Sequence, residues 1–194
     1  MRQTHSLVIA VLASLLAAPA AAQATAGTSG GGAAASATAP AANPRDVESI
    51  DAIMAAIYDV ISGPAGQPRD WNRFRSLMSP HARLIPTGIS RATGQRVHRA
   101  LTADEYVAQV GPQLERDGFF ERELGRKVER YGNIVHLMSA YDSKRRPQDA
   151  EPFTRGVNSV QLWFDGTRWW VVTIFWEAET PATPIPAELL RGRP

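Results

Sequence analysis

Residues 158–176 read NSVQLWFDGTRWWVVTIFW and hold four of the five tryptophans in the chain. Two runs of aromatic and β-branched residues flank Asp165-Gly166, and that dipeptide between such runs is a strong hairpin signal. Side chains alternate along a strand, so even positions before the turn share a face with odd positions after it. One face then carries Asn158, Val160, Leu162, Phe164, Trp169, Val171, Thr173 and Phe175. It is apolar except for Asn158 and Thr173, which are expected to meet across the pair and to orient a ligand. The opposite face carries Trp163, Trp170, Val172, Ile174 and Trp176, an apolar patch of the kind that marks a partner surface.

The hairpin closes a series. FFERELGRKVERY (119–131), NIVHLMSAYDS (133–143), FTRGVNSVQLWF (153–164) and TRWWVVTIFWE (167–177) are four successive strand candidates, predicting an antiparallel meander. Upstream, Thr102-Ala103-Asp104-Glu105 forms a capping box that opens a helix carrying Tyr106, Val107, Val110 and Leu114. Gly111-Pro112 inside that helix predicts a kink or an early stop. ARLIPT (82–87) and RVHRAL (96–101) read as short strands, with Pro86 marking an edge or a strand end. Asp70 caps a short helix with Trp71, Phe74, Leu77 and Met78 on one side. Val47, Ile50, Met54, Ile57 and Ile61 recur at steps of three and four, predicting one amphipathic helix from Asn43-Pro44 to Gly63-Pro64. The whole is an α+β domain with its helices on one face of a curved sheet.

The ends bound the class. Arg2, the apolar run Leu7–Ala18 and Ala20-x-Ala22 describe a secretory leader over residues 1–22, which predicts a periplasmic or secreted protein. Residues 23–45, rich in Ala, Gly, Ser and Thr, read as a flexible linker. The domain spans 46–178, and a Pro-rich tail, 179–194, is expected to pack down through Ile185, Leu189 or Leu190. The apolar run is too short to span a bilayer, so no stable membrane insertion is expected. The chain has no cysteine and only four histidines, which argues against disulfides and a thiolate metal site; no metal and no cofactor are expected. The net charge of +2, with no long basic block, gives no reason to expect nucleic acid as a partner.

The element order, with Ile57-Tyr58, the Trp71–Leu77 helix, the strand after Pro80 and the ending FDGTRWWVVTIFWE, resembles the nuclear transport factor 2-like superfamily. That superfamily is also called SnoaL-like or ketosteroid-isomerase-like. The resemblance covers roughly residues 46–178. It implies a cone-shaped sheet wrapped around N-terminal helices, an interior pocket, and a homodimer through the outer sheet face. Members include isomerases, dehydratases, cyclases, binding proteins and oligomerisation modules, and the fold does not choose among them.

The residues offer few acid–base candidates. Ketosteroid-isomerase chemistry needs an acidic base, a Tyr and a protonated Asp. Tyr58 is a match, but Pro86 and Thr87 stand near the expected base, and Asn158 or Val160 near the expected Asp. His136 is a strand histidine that an inward orientation would bring to a pocket. Asp142 is six residues further on, roughly 20 Å along a strand, and cannot form a dyad with it. Glu121 and Glu123 share one face of their strand. Read against Phe120, Leu124 and Val128, that face is expected to be the solvated one, with a carboxylate pair at a pocket as the alternative. The expected ligand site is Tyr58, Asn158, Trp169, Thr173 and Phe175, with Tyr58, His136 and Glu121 as candidate catalytic groups. The expected function is an exported protein holding a small, mostly apolar molecule. The alternatives are an acid–base enzyme and a dimerising module with a filled cone.

Overall fold

The computed structural model describes residues 40–90 and 92–191. The leader and most of the linker expected from the sequence lie outside these residues. The N-terminal amphipathic stripe is split rather than continuous. A single turn, α1 (Pro44–Val47), is capped by Asn43. A second helix, α2 (Ile50–Ile61), is capped by Ser49, whose hydroxyl accepts from the Ala52 amide. The apolar spacing continues across Ser49, but its side chain caps rather than propagates. A short helix, α3 (Trp71–Leu77), follows with Asp70 as its cap. It leads directly into β1 (Met78–Ile89), which is paired with the three-residue β2 (Arg96–His98).

The capping box is formed as the sequence predicts: the Thr102 hydroxyl accepts from the Glu105 amide and the Glu105 carboxylate from the Thr102 amide. The helix it opens, α4 (Ala103–Asp117), runs through Pro112 without ending. Four long strands complete the sheet: β3 (Phe120–Tyr131), β4 (Ile134–Lys144), β5 (Thr154–Phe164) and β6 (Trp169–Ala178).

The sheet order is β2-β1-β6-β5-β4-β3. The predicted meander β3 to β6 is antiparallel throughout, but β1 docks parallel to β6, so the sheet is mixed. Pro86 therefore does not mark an edge strand. Leu84 exchanges both backbone bonds with Leu101, and Pro86 accepts from the Arg99 amide on the same side. A strand only three residues long leaves room there for a residue that cannot donate.

Helices α2, α3 and α4 cover the inner face of the sheet. Phe74, Met54, Leu77, Leu114, Leu137, Val160, Leu162 and Val171 fill the interior. A last helix, α5 (Ala187–Arg191), lies on the other face. There Ile185 and Leu189 bury a second small cluster with Ala140, Leu124 and Val157, while Leu190 stays exposed. Among the described residues no helix is long and apolar enough to cross a membrane.

The hairpin departs from strict alternation. The turn joins Phe164 to Trp169, and Asp165 Oδ1 accepts from the Thr167 and Arg168 amides. The pairing then shifts: Leu162 faces Val171 but Gln161 faces Thr173, so Val172 is an extra residue in β6. Such a bulge reverses the faces of everything beyond it. Asn158 therefore pairs with Trp176 and not with Thr173. Ile174 is buried, and Trp176 packs edge-on against Tyr106 inside the domain. Thr173 and Phe175 point outward. The predicted partner face thus loses Ile174 and Trp176, and the predicted ligand face loses Thr173 and Phe175.

Candidate ligand cleft

The C-terminal end of α2 is fastened to the start of β3. The Ser62 hydroxyl donates to the Tyr58 carbonyl at 2.7 Å and accepts from the Glu121 amide at 3.0 Å. Gly63 and Phe119 exchange backbone bonds beside it. This splice turns Glu121 inward, opposite Ser143 of β4, with Glu123 opposite Tyr141. A second bulge follows at Leu124. Gly125 faces Ala140 and Arg126 faces Ser139, so Arg126 joins the two carboxylates on the inner face. Leu124 goes to the outer cluster with Ile185 and Leu189. The face of Glu121 and Glu123 is therefore the inner one, contrary to the expectation that it is solvated. The stripe Phe120, Leu124, Val128 that suggested otherwise is broken by the bulge.

These residues line a cleft of about 730 Å³ between α2 and the ends of β3 and β4. Ala55, Tyr58 and Ser62 form one wall; Phe120, Glu121 and Arg126 belong to the other. Behind it runs a directed chain of hydrogen bonds. Ser139 Oγ donates to Glu123 Oε1 at 2.5 Å, so the hydrogen between Tyr58 and Ser139, at 2.7 Å, belongs to Tyr58. Asn158 Nδ2 in turn donates to the Tyr58 oxygen at 3.1 Å. Beyond Glu123, Arg126 Nη1 lies 3.4 Å from Glu123 Oε2, and Nη2 donates to Asp51 Oδ1 at 2.5 Å.

The electrostatics follow from burial. Removal from water pushes the Glu121 carboxyl up to about 7, against the Ser143 hydroxyl and the Asn158 amide, with the Asp142 charge adding to the rise. Ser143 Oγ donates to Glu121 Oε2 at 2.8 Å. The carboxyl of Glu123 is also raised by burial, opposed by Ser139 and Arg126. Burial, reinforced by the Glu121 charge, drives Tyr58 far above the ordinary phenol range, so it remains a donor. Tyr106 and Tyr141 are raised for the same two reasons.

The structure thus brings Tyr58 and Glu121 together and places Asn158 behind them. It does not bring the rest. Trp169 is in the core, packed on Phe164 with the Arg130 guanidinium 5.3 Å over its ring. Thr173 and Phe175 line a separate, smaller depression on the outer face with Ile85, His98, Ser159 and Gln161. His136 is on that outer face too, bonded to Ser159 at 2.9 Å and 3.9 Å from Glu129. Sequence reasoning missed Arg126, Ser139 and Ser143. The alternation Leu137, Ser139, Tyr141, Ser143 on β4 is the signal that would have exposed the two serines. Among the described residues no group of three or more His, Cys, Asp or Glu is arranged to hold a metal ion.

No family model and no curated protein matches the sequence. Solved structures do match in three dimensions. One is a protein of unknown function with a cystatin-like fold from Nostoc punctiforme, with 11% identity and a TM-score of 0.50 over 71% of this chain and 92% of that one. Another is a nuclear transport factor 2-like protein of unknown function from Silicibacter pomeroyi, with 12% identity and a TM-score of 0.46 over 68% and 94%. A third is a nuclear transport factor 2-like protein of unknown function from Shewanella baltica, with 11% identity and a TM-score of 0.41 over 66% and 89%. The neighbour at a TM-score of 0.50 has a cystatin-like fold, and the open mixed sheet of this chain, with helices on its inner face, shares that architecture. At such identities the likeness speaks for the fold alone.

Proposed function

We propose that the chain binds a small molecule in the cleft between α2 and β3, presented to Glu121 and Tyr58. The observation that supports this reading most directly is Glu121 itself. Its carboxyl is withdrawn from water in an open cleft, and among the described residues no cation is paired with it. Unpaired buried carboxyls are costly, and sites that hold a ligand are where such a cost is met. A screen of small molecules by chemical-shift mapping tests it. Hits should perturb Tyr58, Ser62, Phe120 and Glu121. Hits confined to the outer depression at Phe175, or none at millimolar concentration, would refute the reading.

The acid–base alternative has an observation of its own: a carboxyl titrating near 7 is suited to taking and returning a proton at neutral pH. Loss of turnover in Glu121→Gln with the fold intact is its expected signature. The proposal also takes the protein as exported, on the leader pattern of residues 1–22, and as a homodimer. The dimer surface is narrower than the sequence suggested. Tyr131, Ile134, Trp163 and Trp170 are register partners in one row across four strands, on the outer face. Tyr131 is 85% exposed and Trp163 43%. Light scattering at micromolar concentration and the N-terminal mass of exported protein test these two parts.

A further inference from the structure

Most charges on the cleft lining are paired within the domain. Asp142 pairs with Arg122 through two bonds of 2.9 Å, and Asp59 binds Arg73. Asp51 and Glu123 share the buried Arg126, and Asp51 itself is open to water. Two side chains of opposite sign remain: among the described residues Glu121 is paired with no cation and Lys144 with no carboxylate. The groups that face Glu121 are neutral, namely Tyr58 from α2, Tyr106 from α4, Tyr141 and Ser143 from β4, and Asn158 from β5. The Asp142 charge near it is negative. The Lys144 ammonium donates to the Asp149 carbonyl at 2.7 Å, which occupies one of its three N–H donors. The ladder keeps these two charges apart. Lys144 stands opposite Phe120 and Glu121 opposite Ser143, so the successive pairs leave the sheet on opposite sides. Both side chains still border the cleft, because β3 begins and β4 ends there. Phe120, Ala55 and Pro147 supply apolar wall beside them. A ligand with a single charge meets one of the two groups and leaves the other without a partner.

Building on the reading of the cleft as a ligand site, we infer that its ligand is a zwitterion of the amino-acid class. The ammonium pairs with Glu121, the carboxylate with Lys144, and the side chain lies on the apolar wall. Such a molecule joins the two unpaired charges of the lining without adding net charge to the cleft.

The test uses three probes of similar body: phenylalanine, 3-phenylpropanoate, which lacks the amine, and 2-phenylethylamine, which lacks the carboxylate. Chemical-shift titration at pH 7.5 should rank phenylalanine first, with each single-charge probe about tenfold weaker or more, the equivalent of one modest charge pair. Lys144→Met should abolish the advantage of phenylalanine over 2-phenylethylamine and leave the amine bound no more weakly than before. Glu121→Gln should abolish its advantage over 3-phenylpropanoate. The unsubstituted protein gives a control that no folding defect can confuse. Phenylalanine keeps both charges from pH 5.5 to 8, so its affinity should rise over that range as Glu121, at about 7 in the free protein, gives up its proton. A single-charge probe that binds as tightly as phenylalanine, or an affinity for phenylalanine that is flat or falling with pH, overturns the inference and leaves the cleft as a ligand site. Absence of any shift at Tyr58, Phe120 or Glu121 with all three probes at millimolar concentration also overturns it. The proposed function falls with it only when the wider screen leaves those residues unperturbed as well.

Discussion

Tyr58 is the residue on which the inner polar chain turns, because its hydroxyl both receives the Asn158 amide and donates to Ser139. Tyr58→Phe strands the Asn158 and Ser139 groups in a buried setting. We expect it to lower stability by ~1–3 kcal/mol in urea unfolding while the fold persists. Glu121 sets a pH dependence of known sign. Its folded value of about 7 is above its ordinary 4.5, so the native state holds the extra proton between the two. Its contribution is fully present below 4.5 and is lost as the pH rises through 7. The loss is on the order of 3 kcal/mol. Glu121→Gln, which cannot ionise, should flatten that part of the stability profile. An unchanged slope between pH 5 and 8 would show that Glu121 is not the group responsible. Both residues stand out in the sequence as candidates, but the side to which Glu121 turns was not legible there. Glu121 and Glu123 alternate with Arg122, as a solvated face would, and only the splice at Ser62 reveals which way they turn.

At the scale of elements, Arg69 and Val172 do work that no motif announces. Arg69 is buried at the junction of α2 and α4. Its guanidinium donates to the carbonyls of Ile61, Gly63, Pro64, Gln67 and Leu114. It satisfies helix-end carbonyls that would otherwise face one another without donors. Gly63 allows the approach, since a Cβ there would lie 2.7 Å from the guanidinium. Arg69→Ala should cost ~3 kcal/mol or more, measured by urea unfolding, because several buried acceptors lose a charged donor at once. Val172 controls the end of β6. Deleting it joins Val171 to Thr173 in regular pairing with Leu162 and Gln161 and keeps Ile174 and Trp176 inward, so we expect a loss of no more than ~2 kcal/mol in urea unfolding and unchanged tryptophan emission. The turn at Asp165-Gly166 and the cap at Thr102 were readable because each needs particular residue types. The bulge at Val172 was not, since it sits among ordinary strand residues with no glycine or proline to mark it; the one at Leu124 does adjoin a glycine, Gly125, a mark hidden by the alternation around it.

For the whole molecule, the element order and the terminal hairpin were enough to foresee the fold, because periodicity and turn chemistry act locally. What escaped was placement across the sheet: the parallel docking of β1 on β6, the crossing of α5 to the outer face, and the side of β3 that looks inward. Each depends on long-range pairing. The row Tyr131, Ile134, Trp163 and Trp170 supports a test at this scale. Trp163→Arg should convert a dimer to a monomer in light scattering with little change in unfolding free energy. A parent protein that is already monomeric at the same concentration refutes the dimer.

The extra residue in β6 also bears on how this chain is compared with others. Strand sequences have a phase, in or out at every second position, and one added residue shifts that phase for all that follows. A relative built on the same sheet but without the insertion carries its inward residues at the opposite parity beyond this point. An alignment without a gap near Val172 sets its core residues beside the surface residues of this chain. Similarity between the two then registers as difference over the last stretch of strand.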